Sequence, residues 1–281
     1  MRRALLTLSL TLAATAACAQ DGFGKLDPAP PAGITIPDLI QKMGKQESAF
    51  EEARRGYEFR QTVRMTTISD TTDKPDGEFL QVSDLTFDDS GKRIEKVVFA
   101  PQNTIERVIL TENDMNDVKE RLPFILTSEQ LPQYTLTYAG QQKVDDLDTY
   151  VFDVAPKELV KGHRYFQGRV WLDQQDDQIV LVNGLNVPQE NRPGKEDLSP
   201  PFTTYYQQVD GKYWFPTYTR AEGILHFSAS NGSLSQSVHI RNTVKYTDYK
   251  KFNFRSKIRL IYNGEDLPQQ PADKGSEAPK K

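Results

Sequence analysis

Between Tyr57 and Thr66 apolar and polar residues alternate. Tyr57, Phe59, Val63 and Met65 fall on one parity, and Glu58, Arg60, Thr62, Arg64 and Thr66 on the other. A period of two is that of a strand with one buried and one wet face. The rhythm continues through Glu78–Phe87 and Lys92–Phe99, with Asp88-Asp89-Ser90-Gly91 as the turn between them. It resumes in Tyr134–Tyr138, Thr149–Val154, Arg164–Leu172, Gln178–Val182, Phe202–Val209, Lys212–Ala221, Ser237–Tyr249 and Phe252–Leu260. Asp210-Gly211 is a strong two-residue hairpin signal. Consecutive strands with short links make an antiparallel meander. The one long link, residues 183–201, carries Pro188, Pro193, Pro200 and Pro201 and exceeds what a turn requires.

Two stretches depart from period two. Ile36, Leu39, Ile40, Met43, Phe50 and Ala53 recur at helical spacing behind a Pro37-Asp38 start, and Gly56 is placed to cap the end. Residues 101–133 form an insertion in which Asn113 to Leu122 can be helical and Pro123-Phe124-Ile125-Leu126 makes an apolar knot. The expected fold class is mainly β with helical covers (α+β): one large, strongly curved antiparallel sheet. Its apolar face must be covered by the N-terminal helix and a helical lid insertion, because an uncovered sheet face does not stay soluble.

The termini read differently. Met1-Arg2-Arg3 followed by uncharged Ala4–Ala17 has the parts of a secretory signal, and the apolar run is too short to span a bilayer. Residues 1–19 are therefore expected to be a signal peptide and the working protein to lie in the periplasm. Ala17 and Ala19 fit ordinary cleavage before Gln20. Thr15-Ala16-Ala17-Cys18 also resembles a lipobox, in which Cys18 is acylated and anchors the chain to a membrane. Residues 20–33, with Asp-Pro-Ala-Pro-Pro-Ala-Gly, read as a Pro-rich tether, residues 34–263 as one domain and residues 264–281 as a disordered tail.

Composition narrows the function. Cys18 is the sole cysteine, so the domain has no disulfide, no thiolate metal site and no thiol nucleophile. The chain holds 35 basic and 39 acidic residues for a formal charge of −4, and loss of Arg2 and Arg3 makes the remainder more acidic. Nucleic acid is excluded as a partner on that ground, since basic patches supply most of such affinity. His163, His226 and His239 lie on separate segments without metal-ligand spacing. The acidic turns Asp145–Asp148 and Asp173–Asp177 lack the Gly and terminal Glu of an EF-hand. Ser228 to Ser237 contains no nucleophile elbow, and no Gly-rich phosphate loop is present. Catalytic residues, cofactors and metal are expected to be none, and the chain is not read as an enzyme.

The order signal peptide, helix, strands, insertion, strands is similar to that of the outer-membrane lipoprotein-sorting proteins, the LolA/LolB-like superfamily. Tyr150–Lys157, Gly168–Asp173 and Gln178–Val180 resemble its central strands. Pro201–Tyr205, Asp210–Pro216 and Val244–Lys250 resemble uncharacterised acidobacterial members. The resemblance implies an incomplete β-barrel whose concave face takes the acyl chains of a lipoprotein or lipid beneath a lid. It also implies a lid-holding arginine early in the first sheet. Arg60 and Arg64 stand there, but on the parity opposite Phe59 and Val63, so the role is not carried over. Strand parity offers Tyr57, Phe59, Val63, Met65, Phe152, Val154, Val170 and Leu172 either as cavity lining or as packing against the helices. Phe124, Ile125 and Leu126 are the lid candidates. The expected partner is an acylated lipoprotein or lipid carried by a monomer; the alternative is an envelope protein bound by a sensing module of the same fold.

Overall fold

The computed structural model describes residues 23–88, 90–118, 123–189, 198–227, 235–251, 261–262 and 265–266. Cys18, the export signal and the strand expected at Phe252–Leu260 lie outside them, as do residues 119–122 of the expected lid helix and most of the tail. Helix α1 spans Ile36–Arg54. Thr35 caps it: its Oγ1 accepts from the Asp38 amide at 3.3 Å, which satisfies one of the orphan N–H groups of the first turn. The C-cap is Arg55 rather than Gly56, with ordinary right-handed dihedrals.

Ten strands follow: β1 Tyr57–Ile68, β2 Pro75–Phe87, β3 Arg93–Phe99, β4 Tyr134–Val144, β5 Leu147–Pro156, β6 Tyr165–Asp173, β7 Ile179–Val187, β8 Phe202–Gln208, β9 Trp214–Phe227 and β10 Gln236–Lys251. They form one open sheet in the order β3-β2-β1-β10-β9-β8-β7-β6-β5-β4, and the neighbours are antiparallel. Two meanders thus meet where β10 pairs with β1. The acidic segments are hairpin turns. Asp173 accepts from the amides of Gln175 and Asp176, and Asp210 from those of Lys212 and Tyr213.

One face of the sheet is the core. Val63, Phe152, Val170, Val182, Tyr206 and Val244, from six strands, gather in one cluster with Leu39 and Met43 of α1. That convergence is what a curved sheet wrapped around a helix produces. The outer face is largely polar and cross-paired, with Arg60 on Asp84, Arg64 on Glu78 and Arg169 on Asp153. Neither Arg60 nor Arg64 can therefore act on the inner face.

The expected helix of the insertion is helical wherever it is described: α2 covers Glu112–Asn116, the chain stays helical through Asp117 and Val118, and residues 119–122 lie outside the described residues. A 3-10 turn spans Leu131–Gln133, and most of the other described residues from 101 to 130 are irregular or turn. One expectation is corrected: the Pro-rich segment is not free from Phe23 onward. It lies along the β4 edge, with Gly24 N donating to Lys143 O, and Asp27 and Gln141 exchanging a pair of backbone bonds. Phe23 packs edge-on against Trp171 at 5.7 Å. Gly140 makes this approach feasible: its φ is +140°, and a Cβ there would collide with the Asp27 carbonyl. The edge that a long strand would leave open is thereby covered.

Candidate functional site

The apolar knot is a plug. Phe124 and Leu126 are buried in the main core, and Phe124 stacks on Phe166 at 4.2 Å. Tyr206 Oη donates to the Phe124 carbonyl at 2.7 Å. The segment is also pinned to α1. Glu47, which is buried, accepts from the Ile179 amide of β7 at 3.0 Å and from the backbone of Leu126. Burial removes the water that would solvate a carboxylate there, which raises the Glu47 pKa from 4.5 to about 8. The mid-helix Gly44 lets the cover approach closely, because a Cβ at that position would meet Leu131. Further back, Asp114 accepts from the Leu198 amide, and Asp117 pairs with Arg164 and accepts from Ser199. Polar bonds thus fasten the insertion at several points.

Beside the plug lies a cavity of about 380 Å³. The last turns of α1 supply Phe50 and Arg54. Strand β1 supplies Tyr57, Phe59 and Gln61, and the far side is built by Phe215, Tyr246 and Tyr249. Ile125 and Pro123 close it from the cover, and Lys92 and Arg93 stand at the β2–β3 side. The walls are largely aromatic: Phe59 stacks with Tyr249 at 5.0 Å, and Phe215 meets Tyr57 at 4.7 Å and Phe50 at 5.1 Å. Tyr57 donates to Asp210 at 2.6 Å; burial and that acceptor push its phenol up to about 12, so it stays neutral. Volume and lining suit a small apolar ligand fixed by a few polar groups.

Of the residues offered by strand parity, Tyr57 and Phe59 line this cavity. Val63, Met65, Phe152, Val154, Val170 and Leu172 are packed against α1 and the plug within the main core and do not reach it. Among the lid residues only Ile125 borders it. Arg54, Arg93, Phe215, Tyr246 and Tyr249 were not anticipated, because they come from four separate parts of the sequence. The three histidines stay apart in role: His239 meets Glu222, His226 meets Ser237, and His163 lies against Tyr165. Among the described residues no group of three or more His, Cys, Asp or Glu could hold a metal ion.

A second concavity, about 920 Å³ and open to solvent, lies on the outer face of β4–β8 among Thr137, Gln167, Arg169, Asn183 and Thr203. Its polar floor is already cross-bonded, Asn183 to Thr203 and Arg169 to Asp153. It is more open than the aromatic cavity.

No family model matches the chain, and no curated protein does. Among solved structures, the chain is similar to a LolA superfamily protein from Nitrosomonas europaea, at 14% identity and a TM-score of 0.34, over 81% of this chain and 98% of that one. It is similar to an outer membrane lipoprotein-sorting protein domain from Vibrio parahaemolyticus, at 14% identity and a TM-score of 0.32, over 75% and 92%. MucB in complex with MucA(peri) aligns at 8% identity and a TM-score of 0.22, over 77% and 98%. These likenesses are too distant to say what this chain binds, so its function has to be argued from its own residues.

Proposed function

We propose that the protein is an envelope carrier or receptor for acyl chains, acting by binding and not by catalysis. The observation that carries this reading is the partly enclosed aromatic cavity between the end of α1, the inner face of the sheet and the Pro123–Ile125 cover. The sequence resemblance to lipoprotein-sorting proteins supports it. An acyl chain of about fifteen methylenes left in water costs roughly 12 kcal/mol, so a carrier needs an apolar seat that offsets most of that. The cavity gives a start of such a seat, and a longer chain requires the plug of Phe124 and Leu126 to withdraw. The cover is held to α1 and β8 by the Glu47 and Tyr206 bonds and by the burial of Phe124 and Leu126, so withdrawal means breaking those bonds and repacking the plug. Mass spectrometry of the protein, purified without detergent from its own envelope, tests this. A stoichiometric acyl lipid or acylated peptide is the expected result; a protein free of lipid that also takes up no fatty chain in vitro refutes it.

A second reading rests on a different observation. Edge strand β3 leaves Ile94, Val97, Val98 and Phe99 between 49% and 54% exposed, and its outer edge has no strand partner among the described residues. Such an edge suits strand addition by a protein partner. A pull-down that recovers one stoichiometric envelope protein and no lipid favours this reading over the carrier.

A further inference from the structure

The cavity has an electrical character that its aromatic walls hide. In a chain of formal charge −4, the described residues lining it include three cations, Arg54, Lys92 and Arg93, and no carboxylate. Arg54 is incompletely paired within the protein, with 30% of its side chain left exposed. Its Nε is buried with no hydrogen-bond partner, the Glu51 carboxylate is 3.9 Å away, and its guanidinium lies 5.3 Å from the Phe87 ring centroid. Arg93 reaches Gln61 Oε1 at 2.9 Å, while its carboxylate, Glu95, stands behind it at 3.4 Å. Burying a cation against aromatic rings costs free energy unless an anion or acceptors complete it. Guanidinium groups match carboxylate and phosphate oxygens in particular, because their N–H groups present a planar fork.

We propose that this cavity seats the anionic head of an amphiphile: a carboxylate or phosphate monoester held by Arg54 and Arg93, with Lys92 at the mouth, and its chain laid along Phe59, Phe215 and Tyr249. The proposal rests on the acyl-binding reading and deepens it. It makes the ligand an oxyanion-headed lipid rather than an uncharged glyceride.

Titration calorimetry on the mature protein, with decyl chains below their micelle thresholds, tests it. Decanoate and decyl phosphate are expected to bind at least tenfold more tightly than decanol, and decyltrimethylammonium least well. Arg54→Met keeps the apolar stem and should weaken the two anions at least fivefold without changing decanol. Lys45→Met, on the exposed side of α1, should change nothing. Arg54→Lys keeps the charge and should retain part of the preference; it serves as the second variant if the methionine form does not fold. Equal affinities for decanoate and decanol overturn the head-group assignment and leave the acyl-binding reading standing. No binding of any decyl probe overturns both. Inorganic phosphate binding as tightly as decyl phosphate would make the seat one for a free oxyanion and overturn the amphiphile.

Discussion

Glu47 offers the sharpest physical test of how the cover is held. Its carboxyl is buried between α1, β7 and the plug, where loss of solvation outweighs the backbone N–H groups of Ile179 and Leu126 and the attraction of Arg54. The folded-state pKa is therefore about 8 against an ordinary 4.5. Between those values the folded protein keeps a proton that the unfolded chain has released. The unfolded state then binds fewer protons, so stability is full below about 4.5 and falls as pH rises toward about 8. At ~1.4 kcal/mol per unit, the loss amounts to about 3 kcal/mol by pH 7. Glu47→Gln preserves the oxygen that accepts from Ile179 and abolishes the titration. Urea unfolding of both proteins, followed by tryptophan emission from about pH 5 to about pH 8, should show near-equal stability at the acid end. The variant should lead by about 3 kcal/mol at neutrality. Parallel pH curves, or a variant less stable than the parent at pH 7, would refute the buried-acid account.

Other outcomes follow from named contacts. Leu126→Ala removes a fully buried plug residue and should cost about 2–5 kcal/mol by denaturant unfolding, with increased uptake of an apolar dye at the cavity. Phe23→Ala strips the edge-on ring from Trp171 and should red-shift tryptophan emission while lowering stability by about 1 kcal/mol. Gly140→Ala should release the same segment through its clash with Asp27, which limited proteolysis near residue 27 would detect. On the acid side, hydrogen bonds from Arg241 above all, then from Arg220 and His239, hold Glu222 down at about 2. Its contribution is present above about 4.5 and is lost as pH falls toward 2, so Glu222→Gln should flatten that part of the acid-unfolding curve.

The elements were legible where local chemistry and packing agree. The parity of β1 placed Val63 and Met65 inside and Arg60 and Arg64 outside, and Asp210-Gly211 does lie in the β8–β9 link, with Gly211 at φ +74°, although that link is five residues, 209–213, rather than the two-residue turn the dipeptide suggests. Three expected strands end two residues short of a glycine that the chain in fact runs through. Strand β4 runs on through Gly140, β7 through Gly184 and β9 through Gly223. In β7 the reason is steric: Gly184 faces Gly168 across the ladder, and a Cβ on either would strike Phe166 or the neighbouring backbone. The residues are small because a ring covers them, and no sequence window shows that ring. In the insertion the helix is present over the described residues 113–118, but what fastens it was hidden: Asp114 and Asp117 bond to Leu198, Ser199 and Arg164, distant in sequence. The cavity was least legible. Arg54 resembles any solvated charge at a helix end, and only the assembled sheet brings Tyr246 and Tyr249 beside it.

The docked N-terminal strip has a geometric consequence for any membrane-anchored form. With residues 20–33 as slack, an anchor at Cys18 would let the domain roam and turn freely. Because Phe23 is already seated on Trp171 and Gly24 on Lys143, only about five residues separate Cys18 from the folded body, a reach of at most ~18 Å. A lipidated chain would stand like a short-stemmed flag, the β4 edge held close against the bilayer. The cavity borders β1 and the β2–β3 turn, which stand at the other end of the strand order from β4, so the strand tied to the anchor would be separate from the strands that build the cavity.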